Sequence, residues 1–264
     1  MTAGADRWRG LTRFTPARIA LGRTGISLPT ARALEFQAAH AAARTAVHAP
    51  FDAEAMAAAL GPGFPGALTV ESRAGNRAVY LQRPDLGRRL AAISADRLAA
   101  AAPDPGSGPD VAVVVCDGLS ALAVERNAAP FLAAFLPRVA RHGWTLAPLV
   151  VAREGRVALG DEAGELLRAR LVLLLIGERP GLSAADSLGL YITHGPRVGL
   201  TDADRNCISN VRDGGLTHAD AAYRAEYLIA EALRRGLSGV ALKDDTVAPA
   251  EAVEGAAVPR LPVL

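Results

Sequence analysis

The sequence predicts an α/β protein: a Rossmann-like, mostly parallel sheet with helices on both faces, preceded by a helical N-terminal region. Three observations carry that expectation. Two continuous apolar runs, residues 110–115 after their leading Asp110 and residues 171–176, have the composition of strands buried on both faces. Segments of helical period lie between and after them, the alternation that builds βαβ units. Residues 103–109, with three prolines and two glycines in seven positions, form a linker between an Ala-rich stretch and the strand-bearing part.

Each element has its own signal. Pro29 sits at a helix start and opens an Ala-rich helix over 30–48. A second helix, 52–60, ends in the breaker run Gly61-Pro62-Gly63-Phe64-Pro65-Gly66. A third follows Arg83-Pro84-Asp85 and continues to about residue 102, so 1–102 reads as the helical region and 103–109 as the linker. Beyond it come a strand at 110–115, a helix over 119–142 with interruptions expected near Pro130 and Pro137, and a strand at 144–151. Residues 156–159 read as a short extension or hairpin partner of that strand, 161–168 as a helix, 171–176 and 188–193 as strands, and 204–210 as a long polar loop. The last helix begins at Thr217, whose spacing to Asp220 is that of a capping box. It buries Ala222, Ala225, Ile229 and Leu233 on one face and stops at Gly236. Residues 110–243 thus form an α/β domain, and 244–264 read as a poorly ordered tail.

Composition excludes several functions. Twenty-nine Lys+Arg against 27 Asp+Glu give a net charge of +2, which provides no bulk attraction to nucleic acid or anionic membrane. Lys243 is the only lysine, so Schiff-base chemistry and a Walker phosphate loop have no residue to use. Cys116 and Cys207 stand far apart and form no C-x-x-C pair, which rules out a disulfide framework or zinc ribbon and fits a reducing compartment. No run approaches 18 apolar residues, and residues 1–13 lack the apolar core of a signal peptide. The expected location is cytoplasmic.

Ligands of open α/β sheets bind beyond the carboxyl ends of the strands. Two polar clusters follow the two best strands, Cys116-Asp117-Gly118-Leu119-Ser120 and Gly177-Glu178-Arg179-Pro180-Gly181. A third, Asp204-Arg205-Asn206-Cys207-Ile208-Ser209-Asn210, precedes the last helix. Simpler uses compete: Asp117 as a helix cap, Glu178 and Arg179 as a surface pair, Cys207 as a small buried hydrophobe. Gly61, Gly63 and Gly66 match G-x-G-x-x-G in letters only, since no predicted strand precedes them. His40 and His48 are too far apart on their helix for an i, i+4 metal pair, and no nucleophile elbow occurs. These residues give no catalytic set and no metal site.

Taken in order, short segments give the chain a resemblance to a family. They are Thr15-Pro16-Ala17-Arg18-Ile19-Ala20-Leu21-Gly22-Arg23, Arg83-Pro84-Asp85-Leu86-Gly87-Arg88-Arg89-Leu90, Asp117-Gly118-Leu119-Ser120 and Gly155-Arg156-Val157. Gly177-Glu178-Arg179-Pro180-Gly181-Leu182 and the cluster at 204–210 complete the set. In this order the chain resembles the small-subunit family of ethanolamine ammonia-lyase, an adenosylcobalamin-dependent enzyme that yields acetaldehyde and ammonia by a radical mechanism. The resemblance implies a large TIM-barrel subunit that holds the amino alcohol, with cobalamin between the subunits and residues 1–102 docking the partner. It implies base-on cobalamin, in agreement with the lack of a D-x-H-x-x-G loop. It assigns the cofactor contacts to Val157, Glu178 and Cys207: apolar surface for the corrin, an acceptor for its amides, and soft packing against the ring. Asp117, Ser120 and Asn206 are weaker additions.

The resemblance leaves open whether the enzyme is free in the cytoplasm or enclosed in a bacterial microcompartment. Two other readings compete with it. One is a stand-alone Rossmann-type nucleotide-binding enzyme, which would need a glycine-rich turn directly after Val115 or Ile176. The other is a non-enzymatic interaction protein using the helical region.

Overall fold

The computed structural model of this chain describes residues 7–15, 17–23 and 25–246. A 3-10 helix, Arg7–Phe14, opens an N-terminal arm that precedes α1 (Thr30–His48). There follow α2 (Ala53–Leu60), β1 (Ala67–Glu71), α3 (Arg77–Gln82) and α4 (Ala92–Ala100). The remaining order is β2 (Val111–Cys116), α5 (Ala121–His142), β3 (Leu149–Arg153), α6 (Val157–Leu166) and β4 (Leu171–Gly177). Then come β5 (Leu188–His194), β6 (Asn206–Val211) and α7 (His218–Arg235). Among the described residues no helix is long and apolar enough to cross a membrane.

The strands form one sheet in the order β1-β3-β2-β4-β5-β6. β1, β3, β2 and β4 run parallel, while β5 is antiparallel to both β4 and β6. This is the mostly parallel α/β sheet that the sequence predicts, with helices on both faces and a helical region before it. All six residues of β2 and all seven of β4 are buried, because successive side chains enter opposite cores. Val111, Val113 and Val115 join Leu171, Leu173 and Leu175 beneath α2, α5 and α7. Ala112, Val114 and Cys116 join Val172, Leu174 and Ile176 against α4 and α6. Each such Val or Leu contributes roughly 1.5–3 kcal/mol by leaving water, so the two central strands anchor the domain.

Several boundaries differ from expectation, each for a local reason. Residues 67–71, for which no strand is expected, form the edge strand β1, half-exposed and therefore without a continuous apolar run. The strand expected over 144–151 begins only at Leu149 and runs on to Arg153. Residues 156–159 are not a strand extension but the start of α6. The polar loop expected over 204–210 is largely β6, whose exposed positions Cys207, Ser209 and Asn210 hide its pattern. Helix α5 runs unbroken through Pro130 and Pro137. Both prolines are exposed, so the carbonyls they release face water while Phe131 and Phe135 hold the opposite side in the core. The Gly61–Gly63 turn precedes β1 rather than following a strand, as expected of a fortuitous glycine pattern. In the tail, only residues up to 246 belong to the described part.

Candidate functional site

The chain leaves β2 for α5 on one face of the sheet and leaves β3 for α6 on the other. Diverging loops of this kind open a crevice at the carboxyl ends of the strands. A cleft of about 390 Å³ lies there. Gly118 and Leu119 reach it from β2, Arg156 and Val157 from the start of α6, and Ile176 to Arg179 from the end of β4. Tyr191 of β5, Ser209 of β6 and Tyr80 of α3 complete the lining.

Glu178 is the first residue beyond β4. Its carboxylate accepts hydrogen bonds from the hydroxyls of Ser187 and Ser209 and from the Asn210 N–H at 3.3 Å. Two of these donors come from β6, so the edge strand fixes the carboxylate over the cleft. A carboxylate has about four acceptor positions, so the three internal donors leave room for one more. Arg179 is not its partner in these bonds. Val157, the first residue of α6, presents a half-buried apolar side chain to the same cleft. Cys207 stands apart: it pairs with Tyr191 across β5 and β6, is exposed, and does not line the cleft. Desolvation of its thiol nevertheless raises the pKa, offset in part by a hydrogen bond from Tyr191, so the sulfur stays protonated and soft rather than nucleophilic.

The other three candidates are structural. Ser120, not Asp117, caps α5, accepting from the Ala123 N–H at 3.2 Å while donating to the Ala185 carbonyl at 2.8 Å. Asn206 holds the Gly239–Ala241 turn through Gly239 and Leu242. Asp117 is 2% exposed and receives Arg77 Nη1 at 3.2 Å. Burial, then the Glu154 charge, push its carboxyl up to about 7, more than the neighbouring Arg77 pulls it down. Desolvation also raises the Cys116 thiol and the Tyr80 hydroxyl, which donates to the Gly155 carbonyl at 3.0 Å.

Sequence reasoning assigns no role to Tyr80, Arg156, Tyr191 or Ser209, all of which line the cleft. Arg156 lies inside a matched segment, Gly155-Arg156-Val157, and Ser209 inside another. Tyr80 and Tyr191 carry no comparable signal. Among the described residues, no group of three His, Cys, Asp or Glu side chains is placed to hold a metal ion.

Sheet order and the switch-point crevice define a Rossmann-like α/β protein, with the crevice as its candidate ligand site. Comparison with known proteins gives the family. The model of the ethanolamine ammonia-lyase light chain (EutC) matches residues 5–243, and the chain belongs to that family, the small subunits of a carbon–nitrogen lyase complex. An ethanolamine ammonia-lyase small subunit of Pseudomonas syringae pv. tomato is 58% identical over 244 residues, 92% of this chain and 85% of its own length. That of Azotobacter vinelandii is 57% identical over 243 residues, covering 92% and 90%. That of Xanthomonas campestris pv. campestris is 55% identical over 248 residues, covering 94% and 91%.

Proposed function

We propose that this chain, as the small subunit of an adenosylcobalamin-dependent ethanolamine ammonia-lyase, supplies one wall of a cofactor site completed by a large TIM-barrel subunit. The observation that carries this reading is Glu178, fixed by three donors at the mouth of a switch-point cleft and retaining acceptor capacity. The lining suits a corrinoid. Leu119, Val157 and Ile176 offer apolar surface, while Glu178, Ser209 and Arg156 offer polar groups of both senses. A corrinoid is much larger than 390 Å³, as expected if this chain encloses only part of it.

Adenosylcobalamin, when bound, supplies a weak cobalt–carbon bond and through it the radical that initiates deamination of ethanolamine to acetaldehyde and ammonia. The residues of this chain do the holding. Glu178 accepts from a peripheral amide, Val157 excludes water from the adjoining apolar surface, and Cys207, outside the cleft lining and opposite Tyr191, packs against the part of the ring that extends beyond the cleft. None of them transfers a proton, and the substrate site lies in the large subunit.

The N-terminal region docks the partner. Among the described residues of α1 only Ala46 is buried, while Leu34 and Phe36 are exposed, as is Ile26 of the arm at 98%. Apolar surface of this kind is expected to be covered in an assembly. The assembly works in the cytoplasm, free or within a bacterial microcompartment.

The test is ammonia release from ethanolamine with added adenosylcobalamin, comparing this chain alone with this chain co-purified with a large subunit. Activity confined to the combined sample is the expected result. Activity of this chain alone would overturn the proposed division of labour.

A further inference from the structure

We propose that Arg77 is the positioning residue of the cofactor cleft, fastening the loop after β2 to the loop after β3. This rests on the reading of the cleft given above and adds a device that belongs to neither wall. Arg77 Nη1 donates to the Gly118 carbonyl at 2.8 Å and to Asp117 Oδ2 at 3.2 Å, both in the loop after β2. The same nitrogen donates to Glu154 Oε2 at 3.2 Å, in the loop after β3. Nε donates to the Val47 carbonyl at 2.6 Å, near the end of α1. One guanidinium therefore joins four chain segments, counting its own helix.

Three further features mark this as a device for the cleft. Glu154 has a left-handed backbone (φ 54°), an arrangement that persists only where surrounding contacts impose it. The same short helix, α3, holds the wall a second time: the Tyr80 hydroxyl donates to the Gly155 carbonyl, and the Tyr80 carbonyl accepts from Arg156 Nη2 at 3.3 Å. The Tyr80 ring also lies 4.9 Å from the Arg77 guanidinium and 4.2 Å from that of Arg156. Finally, Arg77 Nη2 is buried without a hydrogen-bond partner among the described residues.

Gly118, Leu119, Arg156 and Val157 form two sides of the cleft, so their separation is set by what ties the two loops together. Arg77 lies in neither loop and does not line the cleft. It acts on a ligand through the residues it holds. Because it is also anchored to the end of α1, the docking helix and the cleft share one side chain.

The test uses the co-expressed two-subunit complex and equilibrium dialysis of cyanocobalamin, with KM for adenosylcobalamin and kcat measured alongside. Arg77→Gln should weaken cyanocobalamin binding by about ten-fold or more, as expected when binding groups are misplaced by a fraction of an ångström. It should raise KM for adenosylcobalamin with kcat at saturation unchanged. Arg77→Lys keeps the charge between the two carboxylates and should recover binding to within about three-fold of wild type. Glu154→Gln, which removes one charge and leaves the Arg77 contacts to Asp117, Gly118 and Val47 in place, provides a milder break should Arg77→Gln fail to assemble, and should weaken binding in the same direction. Wild-type affinity in an assembled Arg77→Gln complex, or in Glu154→Gln where Arg77→Gln fails to assemble, would overturn the role of Arg77. A wild-type complex that retains no cyanocobalamin would instead overturn the reading of the cleft itself, and this inference with it.

Discussion

Gly118 packs directly on the backbone of Gly177: a Cβ at Gly118 would stand 2.3 Å from the Gly177 carbonyl oxygen and 2.5 Å from Ile176 Cγ1. That same oxygen accepts the Leu119 N–H at 2.9 Å, so the loop after β2 lies against the end of β4 with no side chain between them. Gly118 also has a φ of +55°, which L side chains rarely adopt. Gly118→Ala therefore meets backbone rather than a side chain that could swing away. Strain of this sort costs on the order of 1–3 kcal/mol for the dihedral alone, with the clash added. Chemical denaturation should show a loss of at least about 2 kcal/mol. A variant within about 0.5 kcal/mol of wild type would refute the close approach.

Asp117 should make stability depend on pH in a direction opposite to that of an ordinary salt-bridged carboxylate. Its folded pKa of about 7 lies above its ordinary value of 3.8, with burial the main cause. Below about 4 both states carry the proton and the group is neutral to stability. Between about 4 and 7 the unfolded chain releases a proton that the folded chain keeps, so stability falls as pH rises. Above about 7 the penalty is constant, at an upper figure of about 4 kcal/mol. Asp117→Asn does not titrate and should gain stability relative to wild type as pH goes from 4 to 8. Urea melts across that range would show a flat difference if the carboxyl titrates normally.

Arg205 and Asp161 form the most deeply buried ion pair among the described residues, their side chains 1% and 3% exposed. The pair joins α6 to the start of β6. Arg205 is further held by the Leu200 carbonyl at 3.0 Å and Asp202 at 2.9 Å. Burial still raises the Asp161 pKa despite the arginine, so the pair does not fully recover its desolvation cost. Arg205→Ala should cost about 3–5 kcal/mol by stranding the carboxylate. The double variant Arg205→Met with Asp161→Leu should lose much less. Equal losses in single and double variants would mean that the pair stabilises the fold in its own right.

Glu178→Ala should raise the adenosylcobalamin concentration needed for half-maximal activity while leaving subunit association intact. The side chain sits at the rim, where Ser209 and Asn210 are exposed and their donors can be met by water once it is gone; only the buried Ser187 hydroxyl is left short of a partner. Size-exclusion chromatography of the complex checks the second half of that expectation. An unchanged cofactor requirement would remove Glu178 from the site.

The central strands were legible because burial on both faces writes itself as an unbroken apolar run, and β2 and β4 read that way within a residue of their ends. The caps of α7 were legible for a similarly local reason: Thr217 accepts from the Asp220 N–H at 3.1 Å, and Gly236 takes the left-handed φ of 71°. The edge strands were not legible. With one side open to water, β1 and β6 mix exposed and buried residues and look like loop.

The sequence by itself determined the sheet class, its two buried strands, the exclusion of lysine-based chemistry, and a motif order sufficient for the family. Tertiary structure alone decided how the cleft is built. Glu178 depends on donors from Ser209 and Asn210, more than thirty residues further along the chain. Arg77 acts on Asp117 and Glu154 at separations of 40 and 77 residues. Local sequence reports what a residue buries or caps within a turn or two. A guanidinium that joins two loops has no such signature, because its partners become neighbours only when parallel strands bring their carboxyl ends to one edge.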